Sequence, residues 1–246
     1  MHQKDSIFAE LKNTIEPFRF DQQVAEVFDD MIKRSVPGYE VLVELLALLA
    51  KQVVTPGSHI YDLGSSLGAV SIAIRRQLDQ KDKYSHCHLY AYDNSAAMVD
   101  KSRLLLNAYQ SNLPISVEQN DIRHVAMTNA SLVVLNFTLQ FIPIDDRLNL
   151  LKSIYDGLNP GGVLVLSEKL SFTDQHVDKL IINLHEDFKR KQGYSELEIS
   201  QKREALQNVM VPESVEAHRT RLKEAGFSHV DTWFQQYNFM SLIAIK

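Results

Sequence analysis

Cysteine is nearly absent: the 246 residues hold one, Cys87. An internal disulfide framework is therefore excluded, and a reducing compartment is expected. Long apolar runs are missing too. The longest, around 41–50, is interrupted by Glu44 and is too short to cross a bilayer. The start Met1-His2-Gln3-Lys4-Asp5 lacks the apolar core of a signal peptide, so a cytoplasmic protein with no membrane partner is expected. Basic charge is not in surplus: 26 Lys and Arg stand against 31 Asp and Glu, a net charge of -5. Unaided docking on DNA or tRNA is disfavoured, because phosphate backbones are gripped by clustered cations. The nine histidines make no HExxH or similar spacing. His86 and His88 flank Cys87 in an alternating pattern that reads as structural, so no metal is expected. Repeats and low-complexity tracts are also lacking.

What is present is an alternation of short apolar runs and helical patterns. A 45% hydrophobic content over this length suits one domain spanning 1–246, with a sizeable core. Residues 1–20 form a polar, partly ordered arm. Val24, Val27, Phe28, Met31 and Ile32 fall at helical spacing within 20–35; Pro37-Gly38 breaks that helix, and 39–53 is a second one. Strands are expected at 59–63, 87–92, 115–119, 131–135 and 163–167, with helices at 66–78, 95–110 and 145–157. Asn159-Pro160-Gly161-Gly162 makes a turn before the last of these strands. Two polar amphipathic helices, 173–192 and 195–208, form a cap. A helix at 213–225 stops at Gly226, and 227–235 with 238–245 form a hairpin around Gln236-Tyr237. The expected class is α/β: a mainly parallel seven-stranded sheet with a C-terminal antiparallel hairpin. An N-terminal arm and helices occupy 1–57, the core 58–170 and 212–246, and the helical cap 171–211.

The most telling segment is His59-Ile60-Tyr61-Asp62-Leu63-Gly64-Ser65-Ser66-Leu67-Gly68. An apolar run ends in an acid, a glycine-rich turn follows, and Ala69 to Ile74 opens a helix. That is the first βα unit of a nucleotide-binding sheet. The loop departs from the G-x-G-x-x-G of dinucleotide folds. It is closer to the acid followed by G-x-G-x-G of S-adenosylmethionine (SAM) folds, with Ser66 in the middle glycine's place. Glycines let a ligand approach the backbone, and the helix N-terminus offers N–H groups to a carboxylate. An ordinary strand–turn–helix corner is the plain alternative. A hydrolase nucleophile elbow is disfavoured, because the loop comes too early and has no evident His partner.

Asp93 closes the second strand. A carboxylate there can accept both ribose hydroxyls, while Asp93, Asn94 or Ser95 can equally cap helix 95–110. Asp121-Ile122 follows the third strand. Asp121 can accept from an adenine amino group while Ile122 packs on the ring, or can simply make a turn. Three acids at successive strand ends favour the ligand. Asn136 ends the fourth strand and faces the same pocket; an amide positions a substrate but is a poor general base. Asn136-Phe137-Thr138-Leu139 is not the acidic-proline-proline-aromatic motif of many nitrogen-methylating enzymes. Arg203 can grip a carboxylate through two parallel N–H bonds. For Arg203 and its neighbour Lys202, a solvated helix face is the alternative. Arg34 is placed to cap its helix and Tyr39 to pack in the core.

Taken together, several segments resemble the signature of carboxy-S-adenosyl-L-methionine (carboxy-SAM) synthases. They are Phe20-Asp21 with Val24 to Phe28, Asp30-Met31-Ile32, Arg34-Ser35-Val36-Pro37-Gly38-Tyr39, Asp62 to Ala69, and Ser195 to Arg203. The resemblance runs from about Phe20 to the C-terminus, and Ser65 stands where that family often has Cys. It implies a class I SAM-methyltransferase-like (Rossmann-like) fold that turns SAM and prephenate into carboxy-SAM, phenylpyruvate and water. The product would serve a partner enzyme that carboxymethylates a tRNA wobble uridine toward 5-oxyacetyluridine. Implied contacts to SAM are Tyr39, Gly64, Ser65, Ser66, Asp93, Asn94, Asp121, Ile122, Asn136 and Arg203. A homodimer is implied as well. Arg203 becomes the candidate catalytic residue, a clamp for the added carboxylate in its own or a neighbouring subunit. Prephenate sheds carbon dioxide readily because its ring becomes aromatic as hydroxide leaves. It can thus supply both the carboxyl and the base, leaving the protein to hold the reactants and exclude water. A SAM-dependent small-molecule methyltransferase and a non-catalytic SAM-binding dimer are the alternatives. A direct tRNA enzyme is weakened by the acidic charge.

Overall fold

The computed structural model describes residues 4–84 and 86–246. Among them, seven strands form one sheet: β1 (His59–Leu63), β2 (His88–Asp93), β3 (Ile115–Gln119), β4 (Ala130–Asn136), β5 (Leu158–Lys169), β6 (His229–Gln236) and β7 (Phe239–Ile245). Their order is β3-β2-β1-β4-β5-β7-β6. β1 to β5 run parallel, and β7 lies antiparallel between β5 and β6. The helices are α1 (Gln22–Ser35), α2 (Tyr39–Val53), α3 (Ala69–Gln77), α4 (Lys81–Tyr84), α5 (Ala96–Ala108), α6 (Ile144–Gly157), α7 (Gln175–Lys191), α8 (Glu196–Leu206) and α9 (Val215–Ala225).

The central strands are apolar on both faces, as a sheet covered on both sides requires. In β4, Leu132 and Val134 enter one core with Leu42, Leu46 and Ile74 of α2 and α3. Val133 and Leu135 point the other way, toward Leu150, Leu151 and Ile154 of α6. Each such buried side chain contributes about 1.5–3 kcal/mol. β1 sits between β2 and β4, so successive crossovers leave it in opposite directions. That reversal opens a crevice at the carboxyl ends of these strands.

Three local differences from the sequence reading have physical causes. The helix expected from 66 begins at Ala69, because Ser66 and Gly68 have φ of 51° and 82°. A left-handed residue cannot join a right-handed helix. The Asn159–Gly162 turn is absorbed into β5: pairing passes from Ala130↔Leu158 to Leu132↔Val163, so these four residues bulge out. The arm is not polar packing material left loose. Asp5, Phe8 and Phe18 are buried, Phe18 N–H donates to Ala205 O at 2.8 Å, and Gln201 Nε2 donates to Phe8 O and Glu10 O at 2.9 Å. Residues 1–3 of the expected arm lie outside the described residues. The arm is thereby strapped along α8, over the crevice.

Candidate functional site

A cavity of about 400 Å³ occupies the crevice, a size usual for small-ligand sites. The loop after β1 makes its floor. Gly64 and Ser65 both donate their N–H groups to Tyr92 O, at 2.8 and 2.9 Å, which ties the end of β1 to β2. Gly64 holds φ 78° and Ser66 φ 51°. Ser66 N–H donates to Asp93 Oδ2 and Ser95 N–H to Asp93 Oδ1, each at 2.9 Å. Capping of α5 falls to Ser95, whose hydroxyl accepts from Met98 N–H. Asp93 is therefore free of the cap role and still lines the cavity.

This end of the cavity is acidic. Asp62 is buried at the end of β1 and accepts from Ser71 Oγ at 2.6 Å. Burial pushes its carboxyl up to about 6, against the Ser71 hydrogen bond and helped by the Asp93 charge. Burial also raises Asp93, opposed by its two backbone bonds. Asp121 is gripped by Arg123, with Nη2 2.6 Å from Oδ2, and that bond holds its carboxyl below the usual range. Arg123 itself bridges on to Asp146 of α6. Two buried polar atoms of the lining, Ser65 Oγ and Asn136 Oδ1, have no hydrogen-bond partner.

Of the residues singled out in the sequence, Tyr39, Gly64, Ser65, Ser66, Asp93, Asn94, Asp121, Ile122 and Asn136 all line this cavity. Arg203 does not. It stands on the outer side of α8 with its side chain 66% exposed, and its Nη1 donates to Glu186 Oε1 at 2.8 Å. Lys202 corrects the solvated-face reading: it is 6% exposed and lines the cavity, with Nζ 3.0 Å from Ser35 Oγ and 3.4 Å from Asp5 Oδ2. Arg34 caps no helix of its own. It is buried, donates to Gln192 O and Asp5 O, pairs with Asp30, and lies over the Tyr194 ring. Arg123, Gln140, Lys169, His185 and Lys189 are polar lining residues that escaped the sequence reading. Lys169 had a usable signal, since it ends a parallel strand on the ligand side. His185 and Lys189 lie on an amphipathic helix with no local mark. No group able to hold a metal is found among the described residues, nor is any helix there long and apolar enough to cross a membrane.

Comparison with known proteins places the chain. Residues 60–162 match a model described as a methyltransferase domain. A carboxy-S-adenosyl-L-methionine synthase of Vibrio cholerae is 53% identical over 246 residues, covering 100% of this chain and 98% of that one. Its counterpart from Photorhabdus laumondii is 54% identical over 245 residues, covering 100% and 96%. This chain belongs to the carboxy-S-adenosyl-L-methionine synthase family. Solved structures of low identity agree on the fold. A putative O-methyltransferase from Nostoc punctiforme superposes with a TM-score of 0.63 at 16% identity, over 92% of this chain and 60% of that one. Magnesium protoporphyrin IX methyltransferase from Synechocystis gives 0.58 at 15%, over 88% and 87%. The carboxy-SAM synthase family thus builds on a class I SAM-methyltransferase-like sheet, here with a strapped N-terminal arm and the α7–α8 cap over its crevice.

Proposed function

We propose that this protein converts SAM to carboxy-SAM, with prephenate as the source of the carboxyl group and phenylpyruvate and water as the other products. The observation that carries the reading is identity above 50% over the whole chain with proteins of that name. The cavity fits the proposed substrate. Asp93 offers a fixed carboxylate to paired hydroxyls, and Ile122 an apolar surface to a purine. Asn136 Oδ1 and Ser65 Oγ are partnerless acceptors inside the lining, and SAM brings amino and hydroxyl donors. SAM is cationic at its sulfonium and amino groups, and the acids Asp62 and Asp93 are complementary to that charge. SAM supplies an acidified methyl group. The chain's own contribution is to bind, orient and exclude water, and the arm and cap over the cavity serve the last of these.

The balance of the reaction closes without a further reactant. The methyl carbon forms a bond to the carboxyl carbon of prephenate as that carboxyl leaves the ring. Hydroxide leaves the ring as it becomes aromatic, and takes up the methyl proton as water. We further propose a cytoplasmic homodimer that supplies a tRNA wobble-uridine carboxymethyltransferase. A dimer is supported by α7, where Val177, Leu180 and Leu184 form an exposed apolar stripe at helical spacing. It would also give a place to Arg203, which stands outside the cavity of its own chain and close to that helix through Glu186. In this reading Arg203 reaches a second copy's cavity and holds the new carboxylate.

Mass spectrometry of small molecules released on denaturing the purified protein tests the reaction. A species heavier than SAM by one carbon dioxide supports it, and isotope label from prephenate carboxyl should enter that species. S-Adenosylhomocysteine formed in its place would move the function to methyl transfer. Arg203→Ala should weaken carboxy-SAM binding far more than SAM binding; equal loss of both would remove the clamp.

A further inference from the structure

The cavity changes sign along its length. Where β1, β2 and β3 end it carries Asp62, Asp93 and Asp121, whereas around the end of β5 and under the α7–α8 cap it is walled by three lysines from three separate elements. Lys169 ends β5, Lys189 lies on α7 and Lys202 on α8. We propose that Lys169, Lys189 and Lys202 form a subsite for the carboxylates of the second substrate, a small dicarboxylate with a ring between its charges. This rests on the carboxyl-transfer reading above and assigns it a place.

The charges around the lysines are unequal. Among the described residues, the ammonium groups of Lys169 and Lys189 take part in no hydrogen bond and no ion pair. The nearby carboxylate Glu186 is already engaged by Arg203 at 2.8 Å and Arg190 at 3.5 Å. Lys202 has Asp5 at 3.4 Å, but that carboxylate also accepts from the Tyr194 hydroxyl. Asp178 bears on Lys169 only from a distance. His185 adds no compensating charge: its Nε2–H donates to Ser35 O at 2.8 Å, and burial with the neighbouring lysines keeps the ring neutral. Burial and the repulsion of Lys169 and Lys202 bring Lys189 down to about 7, and burial brings Lys202 to about 8. Buried like charges gathered with too few acids weaken a fold. They suit an anion that enters the same cavity, since charged partners are what offset such a cluster.

The surface between the two halves is aromatic. Tyr39 lies 6.5 Å from Phe137, Phe137 lies 5.7 Å from Phe239 edge-on, and Phe239 lies 4.9 Å from His185. The row leads from the loop end to the lysines, and suits a flat or half-flat carbocycle. A dicarboxylate seated there would have its charges drawn to the lysines and its ring along the aromatic row. The sulfonium would stay on the acidic side. Opposite ends of one cavity thus sort two substrates of opposite charge.

The test uses the full chain and the variants Lys169→Met and Lys189→Met, which keep the packing volume and remove the charge. Carboxy-SAM formation is followed at varied prephenate, and SAM binding is measured separately. Each variant should raise KM for prephenate about 10- to 100-fold, the effect of losing one charged hydrogen bond. SAM affinity should stay within about twofold, and the melting temperature should hold or rise. Lys189→Arg should recover most of the loss. Unchanged prephenate KM in both Met variants, or an equal fall in SAM binding, would overturn the subsite. If no carboxy-SAM forms at all, calorimetry of prephenate onto protein saturated with S-adenosylhomocysteine decides separately. Lysine-dependent binding there keeps the subsite though the reaction fails, and no binding removes it.

Discussion

Gly64→Ala should damage the fold through two effects that can be separated. Gly64 holds φ 78°, a conformation that costs an L-residue about 1–2 kcal/mol. An added Cβ would also lie 2.4 Å from both Cγ2 and Oγ1 of Thr138, and 3.0 Å from its Cβ. Relieving such an overlap costs about 1–3 kcal/mol. The sum is about 2–5 kcal/mol, which lowers the melting temperature of a chain of this size by roughly 4–20 °C. Thr138→Ala removes the two closest atoms and leaves φ untouched. In that background only the 3.0 Å approach to Cβ remains, and Gly64→Ala should cost little more than the backbone share of about 1–2 kcal/mol. Scanning calorimetry on the four proteins of this cycle should give a coupling of about 1–3 kcal/mol. Equal losses in both backgrounds would refute the steric share. No loss in either would refute both shares, and with them the account of why this loop carries glycine.

Other consequences follow from the same cavity. Asp93→Asn keeps one acceptor for the loop N–H groups but removes the charge; SAM affinity should fall about 10- to 100-fold by calorimetry, and an unchanged affinity would remove the hydroxyl-binding role. Ser66→Gly relieves a left-handed serine and gives up only a weak contact of Oγ with Met98 Sδ at 3.6 Å. The variant should melt about 2 °C higher or more, and a lower melting point would contradict the strain. Asp62 gives a pH signature in the ligand-free protein. Burial holds its carboxyl at about 6 in the folded chain against 3.8 for a free one, so the folded state holds the proton more tightly. Stability from this group therefore falls as pH rises from about 4 to 6, and roughly 2–3 kcal/mol is lost above that window. Asp62→Asn should raise the melting temperature at pH 8 and change it little near pH 3.5; the same change at both pH values would refute the assignment.

The sheet was legible because its signals are local. β4 reads Ser131-Leu132-Val133-Val134-Leu135, apolar in both period-two registers, and a strand buried on both faces needs nothing more to declare itself. The hairpin β6–β7 was placed within two residues of its observed bounds by the helix stop at Gly226 and the two apolar runs that follow it. The start of α3 was missed by three residues because φ at Ser66 is set by a bond that sequence does not display. Its N–H reaches Asp93, 27 positions away. The arm was misjudged for a similar reason. Its partners are backbone groups and Gln201 on α8, about 190 residues distant, so its polar composition concealed the anchoring of Asp5, Phe8 and Phe18.

The same distinction divides the cavity. Acids at strand ends could be located because a parallel sheet has only one ligand side, and the sequence position of a strand end is also its position in space. Lys169 shares that signal, but the helical lysines could not be placed that way. Lys202 and Arg203 are adjacent and alike in charge, and on a helix they point about 100° apart. Which of them faces inward depends on where Asp5, Ser35 and Tyr194 lie, and these come from three other segments. The inward one is Lys202, buried beside Lys169 and Lys189, while Arg203 faces away. In the proposed dimer, a helix carrying two cations on adjacent positions would thereby serve two sites at once. One charge belongs to the cavity of its own chain, and the other is presented to whatever packs against α7 and α8. Substituting Lys202 and Arg203 should therefore give unlike defects, the first in a cavity property and the second in a property that depends on protein concentration.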